Sequence, residues 1–363
     1  MKPHIFSFFA GAGFLDLGFE DEGFETVFAN EIYPPFAHAY EHSRSIRGLP
    51  PLKYGILVDS VEAMTEKKNL KDLKQNVNTS REMGALVGFI GGPPCPDFSI
   101  AGKNRGSNGE NGRLSKTYVD LIIEAKPDFF LFENVKGLYR TKIHREFFDS
   151  TKKLLEKAGY VLEEKLINSL EYGAPQDRER IILLGIHKSG VDNFLSVDDW
   201  SRETSFRIHE IQNLNWPDQS PLKITRAKPR DIEERLTVQY WFDKNDVASH
   251  PNQKHAFTPR AGLARFQSVL EGDVSRKSYK RLHRWRYSPT AAYGNNEVHI
   301  HPFLPRRISA AEALAIQSLP SSYEFPQNMT LSAMFKAIGN GVPYVAARGI
   351  AKMYMKALQR EFK

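Results

Sequence analysis

Apolar runs recur through the first half of the chain, each closing on a polar or glycine-rich turn, and their spacing predicts strands alternating with helices. Residues 5–9 read as a strand that enters Ala10-Gly11-Ala12-Gly13-Phe14, and Leu15, Leu17, Gly18, Phe19 and Phe24 suggest a short helix after it. Residues 25–29 form a second predicted strand ending at Asn30-Glu31, and 55–58 a third ending at Asp59. Residues 62–82 are polar and Lys-rich, a helix and a surface loop. Residues 86–90 read as a buried strand, and so do 129–132, which end at Glu133-Asn134-Val135. Between them Tyr118, Leu121, Ile122 and Ala125 repeat at helical spacing until Pro127 stops the helix. An amphipathic helix over 143–158 and strands over 160–170 and 180–186 complete an α/β unit with a doubly wound, mostly parallel sheet.

From about Lys188 the pattern breaks. Residues 188–305 are polar, aromatic and basic without sustained periodicity, which suggests a second unit of short strands and loops. Ser309 with Glu312 makes a capping box, and Leu314, Ile316 and Leu319 form the apolar side of the helix it starts. A last helix, over 344–360, follows Gly339-Asn340-Gly341-Val342-Pro343 and is expected to return to the first unit.

The chain's only cysteine sits in Gly91-Gly92-Pro93-Pro94-Cys95, at the carboxyl end of the strand over 86–90, the edge where open parallel sheets carry their chemistry. A lone cysteine is most often a small buried hydrophobe. This one follows two prolines that hold the backbone stiff, and the Gly-, Ser- and Asn-rich segment after it offers little to pack against and is expected to move as a lid does. Lys103, Arg105 and Arg113 bring positive charge nearby, which favours a thiolate over an unperturbed thiol of pKa about 8.5. Cys95 therefore reads as a nucleophile.

Three other strand ends are polar. The turn at Gly11 and Gly13 lets backbone N–H groups approach a nucleotide, although it lacks the full dinucleotide spacing and a tight structural turn is an equal reading. Glu31, about 20 residues beyond, suits a ribose, and Asp59 an adenine amino group. Glu133 is either a solvated turn residue or a working carboxylate, and Arg178 and Arg180 alternate and so can share a face.

At 363 residues, 41% hydrophobic and 26% charged, the composition fits two soluble domains. One cysteine excludes an internal disulfide and a multi-cysteine zinc site, and no apolar stretch approaches a membrane span, so a cytoplasmic protein is expected. The net charge of +7 mildly favours a polyanion. Its distribution says more, because residues 226–307 interleave Lys and Arg with Tyr, Trp and Phe in a way that suits phosphate and base contacts.

The order of these pieces, a Gly turn, Pro-Cys, Glu-Asn-Val, Gln-x-Arg-x-Arg and Gly-Asn-Gly-Val-Pro, resembles that of DNA cytosine-5 methyltransferases, particularly of the bacterial restriction-modification type. The resemblance covers 3–187 and 283–350 and leaves 188–282, where that family keeps its target-recognition region. It implies a Rossmann-like catalytic domain over 1–187 that binds S-adenosylmethionine, a smaller target-recognition domain over 188–326, and a helix over 327–363 returning to the first. Phe9, Ala10, Gly11, Gly13 and Phe14 would line the cofactor pocket, with Glu31 on the ribose, Asp59 on the adenine, and Pro93, Asn340 and Val342 as further contacts. Cys95 would attack the base, Glu133 would act at its N3, and Arg178 and Arg180 would hold the cytosine and steady Glu133. Double-stranded DNA is the implied partner of a monomer that needs no metal, with a cognate restriction endonuclease acting on the same site without a stable complex.

The chain departs from the family pattern at Ser7, where an acid is usual, at Ile32, where an aromatic is usual, at Pro96-Asp97 and at 316–320. Three rivals remain at this point: an RNA methyltransferase acting on tRNA cytosine, a DNA-binding regulator that has lost catalysis, and a nicotinamide-dependent oxidoreductase. The last is disfavoured by the glycine spacing and the Pro-Pro-Cys turn.

Overall fold

The predicted strands assemble into one sheet of seven among the described residues: β1 (His4–Phe8), β2 (Glu25–Asn30), β3 (Ile56–Leu57), β4 (Val87–Gly91), β5 (Phe129–Val135), β6 (Tyr160–Asn168) and β7 (Glu179–His187), in the order β3-β2-β1-β4-β5-β7-β6. The computed structural model describes residues 2–94, 110–188, 193–222, 224, 227–259, 262–293 and 297–362. All pairings are parallel except that β7 runs antiparallel to β5 and β6. Every residue of β1 and β4 is buried, which explains why these strands read as continuous apolar runs rather than alternating ones. Chain order reverses between β1 and β4, and that switch opens a crevice at the carboxyl edge.

The helices are α1 (Phe14–Asp21), α2 (Pro34–Ile46), α3 (Lys67–Glu82), α4 (Glu110–Ala125), α5 (Lys142–Lys157), α6 (Val197–Glu203), α7 (Ile208–Gln212), α8 (Val238–Lys244), α9 (Leu263–Ser268), α10 (Ala310–Ile316), α11 (Leu331–Asn340) and α12 (Tyr344–Glu361). One face of the sheet buries Phe6, Phe89, Phe130 and Phe132 against Tyr118 of α4 and Phe148 of α5. The other buries Ile5, Ile90, Phe129 and Leu131 against α12, whose Tyr354 hydroxyl lies 2.9 Å from the Phe130 carbonyl and 2.7 Å from that of Gly185. The last helix thus packs on the sheet. A third cluster joins Phe14, Leu17 and Phe36 to Trp241, Phe242, Leu314 and Phe335, so hydrophobic packing crosses position 188. No helix among the described residues is long and apolar enough to cross a membrane.

The expectation of short strands between 188 and 305 is corrected. The described residues there form short helices and loops joined by isolated bridges such as Ser220 with Glu271 and Arg281 with Ile300. Their buried carbonyls are satisfied in another way. The fully buried Arg281 guanidinium donates to the carbonyl oxygens of Val269 and Leu304, both at 2.9 Å, and also to those of Phe266 and His301. A five-donor fork can replace a ladder of backbone bonds, and periodicity carries no trace of it.

Candidate active site

The cofactor side of the crevice begins where β1 ends. Phe9, Gly11 and Gly13 have φ of 54°, 59° and 82°, and these left-handed residues turn the chain back so that α1 can start at Phe14. A Cβ built on Gly11 would meet nothing within 4 Å, so the turn faces open space. The Gly11 N–H donates to Glu31 Oε2 at 2.8 Å, and the Tyr33 N–H donates to Oε1 at 2.8 Å. Glu31 is buried, and burial raises its carboxyl above the ordinary range while these bonds oppose the rise. Fixed from behind, each oxygen keeps acceptor capacity for a ligand hydroxyl. Beside it Ile32 and Val58 are 63% and 47% exposed, large aliphatic groups at the strand ends with Asp59 exposed next to them.

Phe9, Ala10 and Gly11 are half-buried, whereas Gly13 and Phe14 are buried. The Phe14 ring meets Tyr323 edge-on at 5.1 Å, and a Cβ on Gly341 would fall 2.2 Å from Phe14 Cδ2, so Phe14 supports the turn from below and touches the segment before α12.

Two polar residues in this region were not singled out from sequence. Asn30, buried at the end of β2, donates through Nδ2 to the carbonyl oxygens of Leu57 at 3.1 Å and Asp59 at 2.9 Å. β3 is only two residues long, so this amide supplies the bonds that a longer ladder would give. Its signal was a polar residue closing an otherwise apolar strand. Asp16, buried in α1, accepts from the Tyr40 hydroxyl through Oδ1 at 2.9 Å, and its Oδ2 has no hydrogen-bond partner among the described residues.

Burial pushes the Asp16 carboxyl up to about 6 from an ordinary 3.8, more than its hydrogen bonds pull it down. The folded state then binds this proton more tightly than the unfolded chain. The resulting stability is fully present below about pH 4 and is lost as pH rises through about 6. Asp16→Asn keeps an acceptor for Tyr40 and removes that loss. It is expected to add about 3 kcal/mol at pH 8 and roughly half as much at pH 5 in urea unfolding; a gain independent of pH would refute this account.

The other side of the crevice lies at the ends of β4 and β5. Glu133 is buried near the end of β5, and a Cβ on Gly92 would fall 2.6 Å from its Oε2, so only glycine there leaves room for the carboxylate. Pro93 is buried and Pro94 half-buried, and Cys95 lies outside the described residues. Because β7 is antiparallel, its first residues reach the same edge, and Arg180 Nε lies 2.7 Å from Glu133 Oε1. The pair is out of line for a hydrogen bond, and buried Oε1 has no hydrogen-bond partner among the described residues. Arg178 is 1% exposed; its Nη1 donates to the Ala291 carbonyl at 3.3 Å and its Nη2 to that of Gly339 at 2.8 Å. Burial and the charge of Arg180 push its pKa well below the usual arginine range, with Glu133 opposing. Asn340 is exposed at the end of α11 and Val342 is buried.

Residues 4–356 match the sequence model of the C-5 cytosine-specific DNA methylases. The chain belongs to this family. The methylase is 58% identical over 362 residues to the Type II methyltransferase M.NmeDI of Neisseria meningitidis serogroup C, covering 100% of the chain and 86% of that protein. It is 30% identical over 364 residues to the Type II methyltransferase M.FnuDI of Fusobacterium nucleatum, covering 98% and 94%. In fold it is similar to the crystal structure of the S. pombe Dnmt2 methyltransferase, with a TM-score of 0.62 at 13% identity over 99% of each chain. The methylase is thus a DNA (cytosine-5-)-methyltransferase with a Rossmann-like sheet.

Proposed function

We propose that this methylase transfers a methyl group from S-adenosylmethionine to C5 of a cytosine flipped out of a specific duplex sequence, through a transient bond from Cys95 to C6, within a Type II restriction-modification system. The observation that carries the reading is Glu133, buried beside Gly92 where β4 leaves toward Cys95 and paired with Arg180, on the same sheet edge as the glycine turn held by Glu31.

The residues present fit the cofactor. Open space over Gly11, a carboxylate fixed from behind at Glu31 and two exposed aliphatic groups at Ile32 and Val58 supply a place for a backbone-hugging nucleoside, its ribose hydroxyls and its base. Phe9, Ala10, Gly11, Glu31 and Asp59 would line that place, Gly13 and Phe14 would support it, and Pro93, Asn340 and Val342 would close it. When bound, S-adenosylmethionine supplies an electrophilic methyl on a sulfonium. Asn30→Asp would face two carbonyl oxygens with a carboxylate and shift Asp59. It is expected to weaken S-adenosylhomocysteine binding about tenfold in calorimetric titration, and unchanged affinity would count against the adenine assignment.

At the base, C5 of cytosine is a poor nucleophile until Cys95 adds to C6 while Glu133 donates at N3, which gives C5 enamine character. The methylated ring then loses its C5 proton and expels the thiolate. Arg180 holds Glu133 and reaches toward the base. Inside a duplex the ring is inaccessible, so flipping costs a few kcal/mol that pocket contacts recover.

Target recognition is assigned to 188–326. Of its basic residues, Arg281 and Arg284 are engaged internally, whereas Lys254, Arg265 and Arg276 are exposed as phosphate contacts require. The protein is expected to act as a cytoplasmic monomer, with a cognate endonuclease cutting the same site. Bisulfite sequencing of DNA from cells expressing the protein tests the whole reading: protected cytosines in one sequence context are expected, and none would overturn it.

A further inference from the structure

Arg178 and Gln176 lie in the Gln-x-Arg-x-Arg segment, yet neither is spent on the crevice. Gln176 is fully buried: its Oε1 accepts from the Ala291 N–H at 2.9 Å and its Nε2 donates to Gln317 Oε1 at 3.2 Å. Gln317, also fully buried, donates to the Ile338 carbonyl and accepts from the Tyr344 N–H at 2.9 Å through its own carbonyl. Arg178 bonds the Ala291 and Gly339 carbonyls. Two side chains at the entrance to β7 thereby hold residue 291, the end of α10 and the end of α11 in one buried polar network.

The far end of this network is the segment 339–342. Gly341 abuts Phe14 beneath the glycine turn, and Gly339 accepts from Arg178, two residues before the arginine that pairs with Glu133. The segment therefore links the residue beneath the glycine turn to the chain entering β7. Both terminal nitrogens of Arg178 are engaged by these backbone carbonyls, and its Nε has no partner among the described residues, so the guanidinium is anchored to residues 291 and 339.

We propose that Arg178 is a positioning residue for the cofactor: with Gln176 it fixes the 339–342 segment that closes the S-adenosylmethionine pocket, while Arg180 alone of the two arginines serves the base. The inference rests on assigning 339–342 to that pocket. A buried network of this kind loses its geometry when one donor is removed, because the remaining carbonyls are left unsatisfied.

The test is calorimetric titration of S-adenosylhomocysteine into the full-length protein without DNA, alongside steady-state kinetics. Arg178→Lys keeps the charge but loses the two-pronged bond to residues 291 and 339. It is expected to bind S-adenosylhomocysteine about tenfold more weakly and to raise KM for the cofactor, with KM for DNA within about twofold of wild type. Arg180→Lys is expected to do the reverse, lowering kcat with cofactor affinity retained. Wild-type affinity in Arg178→Lys with a fall in kcat or a rise in KM for DNA would overturn the proposal. If that variant fails to fold, judged by its circular dichroism melt, Gln176→Glu is read by the same criteria, since it keeps the acceptor for Ala291 and loses the donor to Gln317. Hydrogen exchange on the wild type needs no variant: S-adenosylhomocysteine should protect residues 288–293 together with 338–343, and protection confined to the latter refutes the coupling. Failure of the wild type to bind S-adenosylhomocysteine at all would instead overturn the pocket assignment, a result distinct from equal binding by wild type and variant.

Discussion

Cys95→Ala is expected to reduce methyl transfer by about 10⁴-fold or more while duplex binding persists. Without a sulfur to add at C6, the ring keeps its aromatic character and C5 has no electron pair to give, however well the methyl donor is seated. The effect should be confined to chemistry. The glycine turn follows β1 and is held by Glu31 from β2, whereas Cys95 comes after β4 in the chain, so cofactor affinity is expected to be retained. Tritium transfer from labelled S-adenosylmethionine into duplex DNA reads the first quantity and a gel shift the second. Turnover retained by the alanine variant would sink the nucleophile assignment, and equal loss of binding would mean that the residue shapes the DNA surface.

The candidate site is partly legible in the sequence because an open parallel sheet carries its polar residues at strand ends. The buried strands are continuous apolar runs, so the residues that break them, Gly11, Glu31, Asp59 and Glu133, stand out by position alone. What stayed hidden were side chains whose role is set by partners distant in sequence. Asn30 matters because β3 is too short to hold its own carbonyls, and the length of β3 is a tertiary fact. Asp16 is tied to Tyr40, 24 residues on, whose hydroxyl donates to it across α1 and α2. The alternation of Arg178 and Arg180 gives no sign that the terminal nitrogens of Arg178 bond carbonyls 113 and 161 residues away. The region beyond 188 misled for a related reason. Arg281 gathers its carbonyls from Phe266 in α9 and from loop residues 269, 301, 302 and 304, which leaves no period to read.

Glu133→Gln should lower kcat by about 10²–10³-fold and leave S-adenosylhomocysteine affinity unchanged. Glutamine is isosteric and can still present an oxygen toward Arg180 Nε, so the crevice keeps its shape. Its amide can donate a neutral hydrogen bond to N3 but cannot hand over a proton, and the addition of Cys95 to C6 then proceeds with less charge relief on the ring. Gly92→Ala offers an independent route to the same phenotype. Its Cβ would fall 2.6 Å from Glu133 Oε2 and force the carboxylate aside without changing its chemistry. Both variants should therefore show a fall in kcat larger than any change in KM for the cofactor. A glutamine variant that lost cofactor binding and turnover in equal measure would contradict the placement of Glu133 at the base. A fully active alanine variant at position 92 would show that the carboxylate can do its work from somewhere other than the gap between β4 and β5.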